Sequence, residues 1–249
     1  MAHPISAVRK ILGLLIIAAP LVLAGAGVLW FLSQVSIWRT PLVSTETIEA
    51  AVKNGDIDQA IRYCQRRIVA NPREVGSYCL LGNLYEEKRK FEEAERTYNE
   101  IIERAPEYAL LRFYLGRTYY SQNRAEDAIG ELRYSVTLSE KETDPARQKE
   151  TLIPALGLLA TIYMETTKEY KKAVGVLEKL VEADPKNWEA HYQLGTAYAY
   201  AGLSAGAYKE FNKIIKENPG TDIAKYAENA IQYVREKRNP SKSKYVLIH

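Results

Sequence analysis

Residues 78–106 read YCLLGNLYEEKRKFEEAERTYNEIIERAP, and residues 191–219 read HYQLGTAYAYAGLSAGAYKEFNKIIKENP. The two stretches carry the same kinds of residue at the same places, in seven pairs: Tyr78 and His191, Leu81 and Leu194, Gly82 and Gly195, Tyr85 and Tyr198, Ala94 and Ala207, Tyr98 and Phe211, Pro106 and Pro219. Ala60, Ala94 and Ala128 lie 34 residues apart, as do Ala173 and Ala207. This period indicates stacked helical hairpins, because one hairpin is too small to bury its own apolar face.

The apolar residues within each period are spaced as in amphipathic helices. Leucines and aromatic residues fall at i, i+3, i+4 and i+7. Gly82, Gly116 and Gly195 lack a Cβ atom, so two helices can approach closely there. Prolines disfavour helix in the residue before them, and four of them predict the ends of second helices: Pro72, Pro106, Pro185 and Pro219.

The pattern L-G-x-x-Y…A-x-x-x-[YF]…P resembles the tetratricopeptide repeat over about residues 44–219. The resemblance implies an all-α fold, a right-handed superhelical solenoid of about five helical hairpins with a C-terminal capping helix. The five repeats are expected at residues 44–74 (degenerate), 75–108, 109–141, 142–187 (with an insertion) and 188–220. A capping helix at residues 221–238 and a flexible tail at residues 239–249 are expected to follow.

The fourth repeat is displaced. Ala128 and Ala173 are 45 residues apart, which leaves 11 extra residues. About ten of them are assigned to residues 142–151 and one to the turn at residues 165–170. This register puts Ala160 in the glycine position, with Gly157 as the competing choice. The insertion is either a tolerated surface elaboration or an elbow that contacts a partner. Its Asp144-Pro145 pair predicts the start of an unusually long first helix.

The N-terminal segment predicts a membrane anchor. Residues 11–32 carry no charge and would extend about 33 Å as a helix, enough to cross a bilayer. A transmembrane helix is therefore expected there, between a short cytoplasmic N-terminus (residues 1–10) and a linker (residues 33–43). The alternative is a cleaved signal peptide, with Arg9 and Lys10 as its charged region.

The flanking charges predict which side of the membrane the repeats occupy. Arg9 and Lys10 precede the apolar segment, whereas only Arg39 follows it closely. Positive charge stays on the cytoplasmic side, so the expected protein is single-pass, with its repeats on the non-cytoplasmic (periplasmic) side. Cleavage of the segment as a signal would instead give a secreted protein.

The charge balance argues against a nucleic-acid partner. Arg9, Lys10 and Arg39 are the only charged residues among the first 43, so the other 31 basic residues balance all 31 acidic ones. A nucleic-acid-binding domain would need a basic stripe. The repeats therefore point to protein partners.

The chain offers few residues for catalysis or for a cofactor. Its three histidines are scattered, and it has neither a Gly-rich phosphate loop nor a cysteine motif for haem or metal. No cofactor, no metal and no enzymatic activity are therefore expected. The two cysteines, Cys64 and Cys79, are interpreted as buried free thiols, with a disulfide as the alternative in an oxidising compartment.

One stripe on each first helix remains to line a concave binding surface. The candidate protein-binding groove consists of eleven residues: Cys79, Asn83, Glu86, Phe113, Arg117, Tyr120, Thr161, Met164, Tyr192, Thr196 and Tyr200. The resemblance implies that such a groove holds an extended or helical segment of a partner. Chaperone-binding members of the family clamp a terminal carboxylate with lysines and asparagines, and this chain lacks most of that set.

The expected function is that of a non-catalytic, membrane-anchored interaction scaffold. It would recruit or assemble partners of a membrane or periplasmic complex through the groove, with residues 11–32 in the membrane. The alternative is a permanent structural subunit of a large multiprotein complex. The partner would be a peptide segment or a subunit of such a complex, and self-association is left open.

Overall fold

The computed structural model describes residues 43–237. Among the described residues, the boundary between two units falls between Thr47 and Ile48, and every helix but the first lies wholly within the second unit. The predicted N-terminal segment (residues 1–10), transmembrane helix (residues 11–32) and tail (residues 239–249) lie outside the described residues.

The described chain is all-α. Its helices are α1 (Thr45–Lys53), α2 (Ile57–Ala70), α3 (Val75–Glu87), α4 (Phe91–Ile102), α5 (Ala109–Ser121), α6 (Ala125–Ser139), α7 (Pro145–Thr161), α8 (Tyr170–Ala183), α9 (Trp188–Tyr200), α10 (Ser204–Glu217) and α11 (Asp222–Lys237). A π-helical turn, Ile162–Thr166, follows α7 directly. From α2 onward each helix packs on the next, so the helices form a solenoid of antiparallel pairs with α11 as the last layer.

A left-handed residue marks the turn inside each pair. These residues have positive φ: Gly55, Arg89, Asn123, Lys168 and Gly202. Each lies five residues before the alanine that recurs on the second helix, a regularity that the sequence analysis missed because only two of the five are glycine. The left-handed residue reverses the chain, and the second helix begins two residues later.

The recurring small residues form the spine of the stack. Ala60, Ala94, Ala128, Ala173 and Ala207 are all fully buried. Opposite them, a Cβ atom on Gly116 would stand 2.8 Å from Cγ of Leu132, and one on Gly195 would stand 2.5 Å from Cε1 of Phe211. Only glycine fits such contacts, so the predicted close approach of the helices at these glycines is confirmed.

The fourth pair differs from the others at both ends of its first helix. Asp144 caps α7 by accepting the backbone N–H of Ala146 at 2.9 Å, and Pro145 is the first helical residue, as predicted. The helix has 17 residues, whereas α3, α5 and α9 have 13 each, and it continues through Pro154. The insertion thus lengthens the first helix of this pair.

The single extra residue of the fourth pair lies in a π-helical turn at the end of the first helix, which overlaps the predicted position at residues 165–170. Gly82, Gly116 and Gly195 each precede their left-handed residue by seven positions, whereas Ala160 precedes Lys168 by eight. The π-helical turn Ile162–Thr166 lies between Ala160 and Lys168. A π-helical turn absorbs one residue without breaking the helix, so the first helix of this pair continues into the segment that was predicted as a turn.

The sequence analysis predicted a single-pass membrane protein with its repeats on the periplasmic side, and the described helices contradict this location. Between residues 43 and 237 no helix is long and apolar enough to cross a membrane. The longest, α7, would extend only about 26 Å and carries charged residues, whereas a spanning helix needs about 20 mostly apolar residues.

Candidate functional site

The predicted groove residues all lie on the first helices of the pairs. Cys79, Asn83 and Glu86 are on α3; Phe113, Arg117 and Tyr120 on α5; Thr161 and Met164 on α7 and the π-helical turn; Tyr192, Thr196 and Tyr200 on α9. Cys79, Phe113 and Thr196 are buried, and the other eight are half-buried. Eight of the eleven residues therefore reach the surface, and the other three lie beneath it.

A polar network joins α3 to α5 at one end of this surface. Arg117 donates through Nε to Oε2 of Glu86 at 2.9 Å and through Nη2 to Oδ1 of Asn83 at 2.6 Å. The hydroxyl of Tyr98 also donates to Asn83, at 2.9 Å, and Thr118 donates to Glu86. These donors satisfy the carboxylate within the protein, and the charge of Arg117 is matched by Glu86. The arrangement is a built, rigid contact between neighbouring repeats.

The guanidinium of Arg117 is also held by aromatic rings. It lies 4.8 Å from the centre of the Tyr114 ring and 5.8 Å from that of Phe113. Tyr114 in turn stacks on Tyr98, with ring centres 5.6 Å apart. Arg117 is therefore fixed by charge and by stacking, and is poorly placed to clamp the terminal carboxylate of a partner.

The predicted groove contains one cysteine, Cys79, and its thiol faces the core. Cys79 packs among Tyr78, Tyr98 and Leu115, and burial raises its pKa to about 12. Burial likewise raises the pKa of Cys64 to about 11. Both thiols are free, as the preferred interpretation of the sequence has it. Neither is poised to act as a nucleophile at neutral pH.

Two residues that the sequence analysis did not place in the predicted groove lie on the same face of α7 as one of its members. Pro154 is exposed and Gly157 is half-buried, and with Thr161 they share one face of α7 by their spacing of three and four. No atom lies within 4 Å of where a Cβ atom on Gly157 would stand, whereas Ala160 is buried at the close helix contact. Helical spacing from Thr161 was the signal that could have found them.

Tyrosines dominate the other end. Tyr192 contacts the ring of Phe211 at 5.7 Å and that of Tyr226 at 6.5 Å between centres, and Tyr200 stacks on Tyr170 at 4.9 Å. Burial raises the pKa of both Tyr192 and Tyr200, and neighbouring phenols add to the effect. Tyr170 and Tyr226 were missed because they lie outside the first-helix stripe, at the start of α8 and on α11.

His191 is a packing residue rather than part of the surface. It is 1% exposed, and its Nδ1 lies 2.7 Å from Oε2 of Glu210, which is also buried. Its Nε2 lies 3.2 Å from both the carbonyl of Pro185 and Nζ of Lys213. The ring thus ties α9 to α10.

Three depressions lie around these elements. One of about 510 Å³ borders the polar network and includes Asn83, Glu86 and Ser121. Another, of about 860 Å³, is lined by Tyr198, Tyr200, Leu203, Tyr208 and Val234, among others. The third, of about 600 Å³, lies beside the insertion and is lined in part by Tyr108, Ser139, Thr143 and Arg147. Across residues 43–237 no three His, Cys, Asp or Glu side chains gather as metal ligands would.

Comparison with known structures supports the fold. The structure resembles YrrB, described as a TPR protein with an unusual peptide-binding site (TM-score 0.54, 20% identity, 76% of this chain and 91% of that one). It also resembles Pseudomonas aeruginosa pilF (TM-score 0.59, 14% identity, 78% of this chain and 83% of that one) and yeast Tom70 (TM-score 0.61, 19% identity, 79% of this chain and 41% of that one). At these identities the likeness concerns the fold alone. No curated protein sequence matches the chain.

Family comparison matches the repeats directly. Two models, both described as tetratricopeptide repeat, match residues 79–143 and residues 166–230. Together they account for 130 of the 249 residues. Proteins built from these repeats are in general interaction modules, and nothing in the described structure shows enzymatic activity. With helical pairs, buried alanines and glycine contacts of the same period, the chain belongs to the tetratricopeptide repeat family.

Proposed function

We propose that the chain is a non-catalytic interaction scaffold that holds a peptide segment or subunit of a partner protein along its first helices. The observation that carries this proposal is the free space over Gly157, which we call the open floor of the groove. At the close contacts of the other repeats, a facing aromatic ring or leucine occupies the space beside the glycine. Gly157, by contrast, faces free space. Half-buried Tyr120 and Tyr192 lie on the neighbouring first helices. A small floor between aromatic flanks suits the backbone of a bound segment.

The resemblance to YrrB supports the proposed binding of a peptide segment, because that protein is described as having a peptide-binding site. The groove of this chain has its own chemistry, with a satisfied polar network at one end and tyrosines at the other. Aromatic side chains supply much of the binding energy in protein interfaces. Partner binding is therefore expected along the middle and the tyrosine-rich end.

The scaffold would recruit or assemble partners of a multiprotein complex. The alternative, a permanent structural subunit, is favoured by the depression beside the insertion. Ser139 lines it, is 1% exposed, and its hydroxyl has no hydrogen-bond partner among the described residues. A second contact surface of this kind suits a subunit that is packed between other chains.

The deciding experiment compares two glycine variants of the full-length protein. Gly157→Trp fills the open floor, whereas Gly175→Trp places the same ring on the exposed side of α8, where there is also open space. Each variant would be used for quantitative pull-down from the native source, with its melting temperature measured in parallel. Loss of a partner with Gly157→Trp alone, at an unchanged melting temperature, is the expected result. Equal capture by both variants would refute the groove.

The same pull-down separates the two roles. A structural subunit would recover its partners at a fixed ratio, whereas an assembly factor would recover them substoichiometrically. The comparison uses only partners whose capture depends on Gly157.

A further inference from the structure

Tyr192 and Tyr226 form an open aromatic corner at the end of the groove. Their ring centres are 6.5 Å apart with the planes inclined at 62°, and Tyr226 is 52% exposed. Tyr192 is on α9 and Tyr226 on α11, so the corner is built from the last repeat and the terminal helix. Glu189, which is exposed, lies one turn before Tyr192 and contributes to raising the pKa of Tyr192.

Thr196 adds an unused hydroxyl beside this corner. The residue lies one turn after Tyr192 on the same face of α9 and is 8% exposed, and its Oγ1 has no hydrogen-bond partner among the described residues. Four other threonines donate to the carbonyl four residues earlier: Thr97, Thr118, Thr137 and Thr161. Thr196 departs from this pattern. A buried hydroxyl without a partner is costly, which points to a group supplied from outside.

The charges of α9 favour a cation, and on α11 the lysine next to Tyr226, Lys225, is paired with Asp222 at 2.9 Å. The helix α9 contains Glu189 and neither lysine nor arginine. Elsewhere four tyrosines carry a cation over the ring: Tyr114, Tyr119, Tyr134 and Tyr163. Within residues 43–237 neither Tyr192 nor Tyr226 has a lysine or arginine over its ring. The corner thus offers the half-exposed ring of Tyr226, with Tyr192 beside it, and the carboxylate of Glu189 to a positive charge from outside this region.

We infer that Glu189, Tyr192, Thr196 and Tyr226 form a subsite for a lysine or arginine side chain of the partner segment, an inference that rests on the proposed function. The cation lies over the ring faces, where the aromatic quadrupole attracts it. Glu189 balances the charge, and a turn of the buried Thr196 side chain lets its Oγ1 accept an N–H of the cation. The alkyl stem packs along the rings, as the stems of basic side chains do on apolar surfaces.

The test is a selection of random 12-residue peptides, displayed on phage, against the immobilised full-length protein. The wild type is expected to enrich peptides that share a basic residue at one position of their consensus. The variant Glu189→Gln plus Tyr226→Leu is expected to keep the remainder of the consensus and lose the basic position. Tyr134→Leu is the matched control, because Tyr134 is also partly exposed but lies on a second helix.

Binding of the synthetic consensus peptide gives the quantitative result. Replacing its basic residue with norleucine is expected to weaken binding to the wild type about tenfold and to leave binding to the double variant nearly unchanged. A consensus without a basic residue, or the same tenfold loss in the double variant, would overturn the subsite while leaving the groove intact. Failure of the wild type to enrich any consensus would overturn both the subsite and the proposed function.

Discussion

Tyr98 lies so close to Gly82 that a Cβ atom on residue 82 would stand 2.3 Å from Cζ of the tyrosine ring. The ring cannot withdraw easily, because Tyr98 is fully buried and its hydroxyl donates to Asn83 at 2.9 Å. Asn83 follows Gly82 directly and also accepts from Arg117. The close contact inside the repeat and the polar network at its surface therefore share one tyrosine.

This contact predicts a loss of stability for Gly82→Ala. The added methyl group forces the Tyr98 ring to move, and overpacking of this kind costs about 1–3 kcal/mol. Gly175→Ala is the control, since no atom lies within 4 Å of its Cβ position and alanine is the better helix former. Urea unfolding followed by circular dichroism should show opposite shifts of the midpoint. Similar midpoints for both variants would contradict the packing described for Gly82.

Removing Arg117 should destabilise the contact between the second and third repeats. In Arg117→Met, Glu86 keeps only the donor from Thr118, and its side chain is 12% exposed. A largely buried carboxylate with too few donors costs about 1–3 kcal/mol. The double variant Arg117→Met with Glu86→Gln should recover part of this loss. A double-mutant cycle that gives no coupling between the two positions would rule out the network as a stabilising contact.

One residue can be removed from the fourth repeat with little effect. Deleting Thr166 would turn the π-helical turn into α-helix and restore the spacing of the other repeats, so a stability change of less than about 1 kcal/mol is expected. Deleting Ser121, the last residue of α5, removes a residue from the third repeat, which has no extra one. It shortens the spacing between Gly116 and the left-handed Asn123 from seven residues to six and should unfold that repeat. Thermal melts of the two deletions distinguish these outcomes, and equal damage would contradict the assignment.

The two thiols predict a loss of stability at alkaline pH. Burial raises the pKa values of Cys64 and Cys79 above their usual value of 9.0, to about 11 and about 12. The folded state therefore holds these protons more tightly than the unfolded state, so the stabilisation is complete below about pH 9 and is lost as the pH rises towards 12. Cys64→Ala plus Cys79→Ala should flatten this part of the pH profile. At pH 8 both thiols should react with a thiol reagent only after unfolding.

Replacing a left-handed residue that is not glycine with glycine should stabilise the folded state. Arg89 and Lys168 adopt φ values of 57°, which cost non-glycine residues about 1–2 kcal/mol. Lys168→Gly should therefore raise the unfolding free energy by about 0.5–1 kcal/mol, less than the full strain because glycine also gives the unfolded chain more freedom. The reverse change, Gly202→Ala, should lower it by a similar amount, since Gly202 has a φ of 78°. Chemical unfolding of both variants tests the sign in each case.

Much of the fold could be predicted from the sequence because it rests on strictly spaced small residues. Gly82, Gly116 and Gly195 mark contacts that only glycine allows, and spacing alone identifies them. The left-handed turn could not be read in the same way, since Arg89, Asn123 and Lys168 occupy the position along with two glycines. The exact position of the extra residue in the fourth repeat could not be predicted, because sequence does not distinguish a longer turn from a π-helical turn.

The candidate site was less predictable than the fold. Helical spacing placed Asn83, Glu86 and Arg117 on one surface, but it could not show that they satisfy one another. It also could not show that Thr196 lies beneath the surface without a partner, because that depends on how its side chain turns. Tyr226 was missed since it comes from the terminal helix, which packs on the last repeat.

The distance between each left-handed residue and the alanine of the following helix is constant in this chain, and changes in length lie outside that interval. Both the long insertion and the single extra residue lie before the left-handed Lys168, and the start of the fourth pair's second helix keeps its usual register. Length variation thus falls on the helices that carry the predicted groove residues and spares those that carry the buried alanines. A stack with this division can acquire new binding surfaces through insertions while its supporting spine stays the same.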